Sequence, residues 1–315
     1  MRPFLLPFKF AVSGLLIVVV FRNIDLDSLA ERFAGQSRGW LIAAATVTIA
    51  QMLLAGLRWD QIIRGLRASV PLETVIRVTY IGTFFNSWLL GSAGGDVARA
   101  VLAPEGGVGR IRIIYSVLFD RVLTLAGLGL MVLPVMALNI GPLARSVPVF
   151  ASLAVAALPF IGLTAIAVIA PLIGGRASAV MLRIRELGLS WRLLCQAPGR
   201  LGAALAIAAA SQVAIPAIAF SLAHAQHLDV SFFDFVVLIP PVVLISALPI
   251  SIGGWGVREN AMIIALAPIG VAAGSALLIA VQLALLASVL SLPGGAIWMR
   301  GYLGRSPPPL ASAPR

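Results

Sequence analysis

Three arginines stand in apolar surroundings where a guanidinium is costly: Arg99, Arg121 and Arg258. A charged side chain at the centre of a bilayer costs about 2.5–3.5 kcal/mol on insertion scales, so it turns toward a cavity or a partner. Carboxylates are close to each: Asp96 just before Arg99, Asp120 beside Arg121, and Glu259 beside Arg258. Adjacent positions on a helix point in different directions, so pairings between segments are expected over pairings between neighbours. Two chemistries fit these six residues. They form ion pairs that hold segments together, or they line a charged cavity that accepts a polar headgroup. Asn86, Gln51, Gln212 and Gln282 also interrupt apolar runs and would line that cavity or bridge helices.

Two of the arginines share a setting. Ser92-Ala93-Gly94-Gly95-Asp96-Val97-Ala98-Arg99 and Ser251-Ile252-Gly253-Gly254-Trp255-Gly256-Val257-Arg258 follow one pattern, S-x-G-G-x-x-x-R. Paired glycines permit a tight non-helical turn, with positive φ expected at Gly94 and Gly254. A helix starting just beyond them aims its amide dipoles back at the break. Discontinuous helices of this kind, repeated in opposite orientation, form the substrate sites of inverted-repeat transporters, and the chemistry suits an anion. Glycines that merely allow close helix packing are the plainer reading.

The elements around these breaks are membrane helices. Only 11% of residues are charged and mean hydropathy is +1.03, whereas a soluble domain carries about a quarter charged residues. Apolar runs long enough to cross a bilayer lie near Phe4–Phe21, Trp40–Leu57, Ile113–Leu138, Val149–Ile173, Leu201–Leu222, Phe232–Leu248 and Ser275–Met299. The first of these also has a signal-peptide-like start, but it lacks a clean cleavage site and reads as a retained helix. Continuous runs exclude a β-barrel, whose strands alternate. The net charge of +11 does not indicate a nucleic-acid partner, because no water-exposed domain presents a contiguous basic face. Cys195 is alone, which excludes an internal disulfide. His224, His227 and Asp229 read as a wet loop in preference to a metal site.

Arginine placement orients the chain. Arg58, Arg64 and Arg67, then Arg176–Arg200, then Arg300, Arg305 and Arg315 are assigned to the cytoplasm, with both termini there. Asn139–Pro148 and Ala223–Ser231 then face outward. Leu72–Leu90 lies between two cytoplasmic basic clusters, so it must return through the break at Gly91–Gly95. Phe232–Leu248 does the same from the other side, breaking at Pro249–Gly256. The expected architecture is an all-α polytopic inner-membrane protein: about six full transmembrane helices plus two re-entrant helical hairpins in an inverted repeat. Eight or nine spans is the alternative. Residues 1–305 form one domain and 306–315 a disordered cytoplasmic tail. Val180, Ile184, Leu187, Trp191 and Leu194 fall on one face of Arg176–Arg200, which predicts a helix in the cytoplasmic interface.

Gly94-Gly95-Asp96-x-x-Arg99, Ser116-x-x-x-Asp120-Arg121 and Pro249-x-Ser251-x-Gly253-Gly254-x-Gly256-Val257-Arg258-Glu259 together resemble the transmembrane, flippase-like region of lysylphosphatidylglycerol synthases. The resemblance runs from roughly Trp40 to Met299. It departs from the family pattern at Leu89-Leu90, where a proline is expected. It implies the transport half of those proteins, since this chain lacks the soluble aminoacylating domain of the fused members. Substrate identity does not carry over.

The leading expectation is a flippase or translocator for a phosphate-bearing lipid, not an enzyme and with no cofactor. Its expected substrate-binding residues are Arg99, Arg258, Asp96, Glu259, Asp120, Arg121, Asn86, Ser92, Gly94, Gly95, Ser251, Gly253 and Gly254. A membrane-embedded transferase would use Asp96, Asp120 and Glu259 as acids or metal ligands, but no nucleophile with a nearby base and no nucleotide motif accompanies them. A non-transporting partner of a lipid or glycolipid synthase is the third reading.

Overall fold

The computed structural model describes residues 33, 35–88, 94–138, 147–173, 178–247 and 256–303. Phe4–Phe21, Ser92, Ser251, Gly253, Gly254 and the 306–315 tail lie outside the described residues.

Ten α-helices follow one another among the described residues: α1 (Arg38–Gly65), α2 (Leu72–Trp88), α3 (Gly94–Leu102), α4 (Arg110–Ala137), α5 (Val147–Ile169), α6 (Ala179–Cys195), α7 (Pro198–Ala225), α8 (Phe232–Ala247), α9 (Val257–Leu266) and α10 (Ala273–Leu303). Five are long and apolar enough to cross a bilayer, over Arg38–Gly65, Arg110–Val135, Leu153–Leu172, Pro198–Ala225 and Ala273–Gly301. The outside of the bundle carries the aliphatic side chains, among them Ile42, Ile49, Leu133, Ile161, Val168 and Val289. The inside carries Thr48, Arg58, Ser116, Asp120, Gln212, Glu259 and Gln282, all buried. Apolar surface outward and polar groups inward is the arrangement lipid imposes. The chain is an all-α polytopic membrane protein.

Two units of matching element lengths make up most of it. Helices of 28, 17, 9 and 28 residues (α1 to α4) are followed later by helices of 28, 16, 10 and 31 (α7 to α10). The two units run in opposite directions. Ser37 at the start of α1 donates to the carbonyl of Ala225 at the end of α7 (2.9 Å), and Arg200 near the start of α7 donates to Gln61 near the end of α1 (2.8 Å).

The middle pair in each unit is a hairpin that returns to the side it came from. Ser69, before α2, donates to the carbonyl of Gly106, after α3, at 2.9 Å, so the base of the first hairpin is closed. Gln226, after α7, donates to the carbonyl of Ser275 at the start of α10 (3.3 Å), which brings both ends of α8–α9 to one side. A helical arm of this length measures ~25 Å, short of the ~30 Å hydrocarbon core.

Both hairpins lean on α10. Tyr80 on α2 donates to the Leu290 carbonyl, Trp88 donates to the Ser288 carbonyl (3.0 Å), and Phe85 meets Trp298 edge-on. The second hairpin packs Phe235, Ile239, Met262 and Leu266 against Ala276, Ile279 and Ala280 at the other end of α10. The hairpins therefore come from opposite sides, and Trp88 of the first and Ser246 and Arg258 of the second lie along the same stretch of α10, near Leu283 and Ser288. Small residues permit the close helix contacts, as where Gly127 lies on Ala208 and Gly294 on the Tyr80 carbonyl.

Helix α6 is amphipathic as expected, but only the C-terminal part of the expected face is buried. Gly188, Trp191 and Leu194 are buried, whereas Val180 and Ile184 are exposed. Trp191 packs edge-on against Phe119 of α4 and Phe160 of α5, which draws the C-terminal half of α6 into the bundle.

Candidate functional site

Position along α1 decides the first feature of the site. The apolar run of α1 reads as ending near Leu57 with Arg58 in a cytoplasmic loop, but the helix continues to Gly65 and Arg58 is buried inside it. No helix breaker separates Leu57 from Gly65, and Arg-Trp-Asp-Gln is compatible with helix throughout. The assignment of Arg58 to a loop is corrected accordingly.

Arg58 meets Asp120 of α4. Its Nε donates to Oδ1 at 2.7 Å and its Nη2 to Oδ2 at 3.3 Å. Arg99 of α3 donates from Nη1 to the same Oδ2 at 2.7 Å and from Nη2 to Asp96 Oδ1 at 2.7 Å. Arg121 closes the chain onto Asp96 through Nε and Nη2, at 2.7 and 2.9 Å. Three cations and two anions thus alternate across α1, α4 and α3. The guanidinium of Arg99 also lies over the Trp59 ring, 5.2 Å from its centroid. Trp59 in turn donates to Ser116 at 3.0 Å, one helical turn before Asp120.

The network is graded. Side-chain exposure is 7% for Arg58, 3% for Asp120 and 7% for Arg99, but 25% for Asp96 and 43% for Arg121. The sealed end ties three helices together, because each charge there is matched by an opposite one and by directed hydrogen bonds. The other end, Asp96 and Arg121, is partly exposed. Asp120 pairs across segments and not with its neighbour Arg121, as helical direction requires.

Glycines 94 and 95 are helical and buried, at the first turn of α3. Their φ is not positive, so the expected left-handed turn at Gly94 is corrected; in the second break Gly256 has a φ of 82°, and Gly254 lies outside the described residues. Gly95 serves close approach: a Cβ there would run into the Gly82 carbonyl and the Asn86 amide. Asn86 Oδ1 accepts from the Gly95 N–H at 2.6 Å, fastening the two arms of the first hairpin.

The second hairpin differs in detail. Helix α9 begins only after Gly256, so Arg258 sits in its first turn, whereas Arg99 lies further along α3. Equal offsets in sequence are not equal places in the helices. Glu259 Oε2 accepts from the Gly256 N–H at 2.5 Å and Oε1 accepts from Arg258 Nη2 at 2.7 Å. Here the neighbouring residues do pair, against the expectation for adjacent positions, because the carboxylate turns back over the helix start and the long arginine folds onto it. Arg258 borders a cavity of ≈ 270 Å³ with Thr48, Gln51 and Ser246, walled by Ile239, Met262 and Leu283 and reaching Ala287. Thr48 and Ser246, which no motif marks, enter the site through packing alone.

The remaining polar residues bridge helices. Gln212 donates to the Thr124 carbonyl (2.8 Å), and Gln282 pairs with Gln36 (2.6 Å). His224 and His227 engage the carbonyls of Leu228 and Gly35. The structure thus gathers Arg99, Asp96, Asp120 and Arg121 into one cluster, and places Arg258 and Glu259 in another beside the cavity.

No curated protein matches the chain. The family model for the transmembrane region of lysylphosphatidylglycerol synthase matches residues 7–294, nearly the whole sequence. With the opposed hairpins carrying its glycine and arginine motifs, the chain belongs to the lysylphosphatidylglycerol synthase transmembrane-region family.

Proposed function

We propose that this protein moves a phosphate-bearing lipid between the leaflets of the cytoplasmic membrane and carries out no covalent chemistry of its own. The observation that carries the reading is the meeting of two opposed hairpins on one stretch of α10, with Arg258 in the cavity beside them. Hairpins entering from opposite sides expose a central site to each side in turn when one unit rocks against the other. A guanidinium suits phosphate there, since it stays charged when desolvated and can bind two oxygens at once.

Arg258 and Arg121 face the lipid headgroup in this scheme. Arg99 is held between two carboxylates and acts by positioning Asp96, not as a phosphate ligand. Asp96, Asp120 and Glu259 each accept from an arginine, which disfavours their use as acids in a transferase reaction. The arginine-rich end of the bundle, with Arg64, Arg110, Arg192, Arg200 and Arg300, faces the cytoplasm.

Reconstitution tests the proposal. Vesicles holding the protein and a fluorescent phospholipid in the inner leaflet should present that lipid to an external quencher faster than protein-free vesicles. A lipid that stays in its leaflet, or that emerges chemically altered, would exclude translocation.

A further inference from the structure

We propose that a cleft between α6 and the start of α4 is a second lipid site, which holds the phosphate of an anionic phospholipid at the membrane interface. It is separate from the hairpin cavity and does not depend on the transport reading. The cleft measures ≈ 500 Å³. Arg185, Leu189 and Arg192 line it from α6, at the spacing of one helical face, with Gln196 just past the helix end, and Arg112 lines it from the first turn of α4.

Three features point to an anion. Among the described residues, Arg112, Arg185 and Arg192 make no ion pair, and the one acid in the cleft, Glu186, is held by Arg183 at 3.0 Å. The Nε of Arg185 is buried and donates to nothing among the described residues. A buried guanidinium N–H without an acceptor is costly, and a phosphate oxygen in the cleft would satisfy it. Arg112 adds its charge where the first-turn amides of α4 already favour an anion.

Other features favour a lipid over soluble phosphate. Leucines 182, 189 and 193 make part of the cleft wall. The neighbouring surface of α6 exposes Val180 and Met181, at 70% and 51%, along which acyl chains can lie. The cleft is also at the arginine-rich end of the bundle, where basic pockets between helices take lipid headgroups. Three cations favour an anionic headgroup and repel the ammonium of a zwitterionic one.

The test uses the full chain purified in detergent, titrated with short-chain phosphatidylglycerol, short-chain phosphatidylcholine and inorganic phosphate, and read by native mass spectrometry. Phosphatidylglycerol should bind at least about tenfold more tightly than phosphatidylcholine. Replacing Arg112, Arg185 and Arg192 together with Gln should weaken phosphatidylglycerol binding by about tenfold or more. Replacing Arg67, Arg77 and Arg300 with Gln removes the same charge from the same side and should change it by less than about twofold. Arg185→Lys keeps the charge but removes the buried N–H, and should weaken binding by about threefold or more. Equal binding of the two lipids, or unchanged affinity in Arg185→Lys, would overturn the proposal, the latter deciding it even if the triple variant fails to fold. Displacement of the lipid by equimolar inorganic phosphate would reassign the cleft to a soluble anion and refute the lipid site.

Discussion

Arg58 and Asp120, on helices separated by two hairpin arms in sequence, meet through a two-point ion pair sealed from solvent, 2.7 Å at its shorter contact. Asp120 also holds Arg99, so removing its charge strands Arg58 and leaves Arg99 with Asp96 as its remaining carboxylate. Asp120→Asn should destabilise the protein by about 3–5 kcal/mol, the usual cost of breaking a buried pair on one side. Arg58→Gln combined with Asp120→Asn should recover part of that loss, because the stranded cation is gone. The measurement is the folded fraction after heating, followed by size-exclusion chromatography. An Asp120→Asn protein as heat-resistant as wild type would show that the network carries no structural weight.

The first hairpin depends on Gly95. Its Cβ would collide with the backbone of Gly82 and the amide of Asn86, and backbone cannot yield as a flexible side chain can. Gly95→Val is expected to reduce folded yield severely. Gly202→Ala, a helical position with open space around it, should be neutral or slightly stabilising, by up to ~1 kcal/mol from helix propensity. Comparable thermal stability of both variants would contradict the close packing of α2 on α3.

Arg258 and Glu259 should separate by function. Glu259 accepts from the Gly256 backbone and holds the start of α9, so Glu259→Ala is expected to cost about 1–3 kcal/mol of stability through an unmet buried N–H. Gly256→Ala should cost about 1–3 kcal/mol as well, because φ of 82° with ψ of −43° is strained for any residue with a Cβ. Arg258→Gln leaves that cap in place and should lower lipid affinity by about tenfold, the loss of one charge-assisted hydrogen bond. Stability and lipid binding of each variant are measured side by side. An Arg258→Gln protein that binds lipid normally but unfolds early would assign Arg258 to structure.

Orientation can be read with an impermeant thiol reagent. Ser231 is exposed at one end of the bundle, and Ser69 is exposed at the other, beside Gly106. In a protein lacking Cys195, a cysteine at Ser231 should react from outside intact cells and one at Ser69 should not. Ser190 is unsuitable for such labelling because it is buried in α6. Reaction of the Ser69 position from outside would invert the proposed topology.

Several parts of the site were legible from residue order because their causes are local. Long apolar runs mark the spans, and the two glycine-arginine breaks mark the hairpins, since both signals lie within a few turns of chain. The matching lengths of the two units follow from the same runs. Asp96 with Arg99 was also visible, three residues apart on one helical face.

The pairing of charges was not. Arg58 follows an apolar run and resembles any cytoplasmic anchor; only the convergence of α1, α3 and α4 turns it inward to Asp120. Arg99 and Arg258 stand at the same offset from their glycines, yet they enter different surroundings because α3 starts at Gly94 and α9 starts after Gly256. Sequence by itself determined that this chain lives in a bilayer and is helical, and it marked a glycine-arginine pattern that occurs twice, because hydropathy and backbone permissiveness act over neighbouring residues. Tertiary structure alone decided which carboxylates hold Arg58 and Arg99 and that Arg258 borders a cavity, because charge partners buried in a membrane protein are chosen by the crossing of helices far apart in the chain.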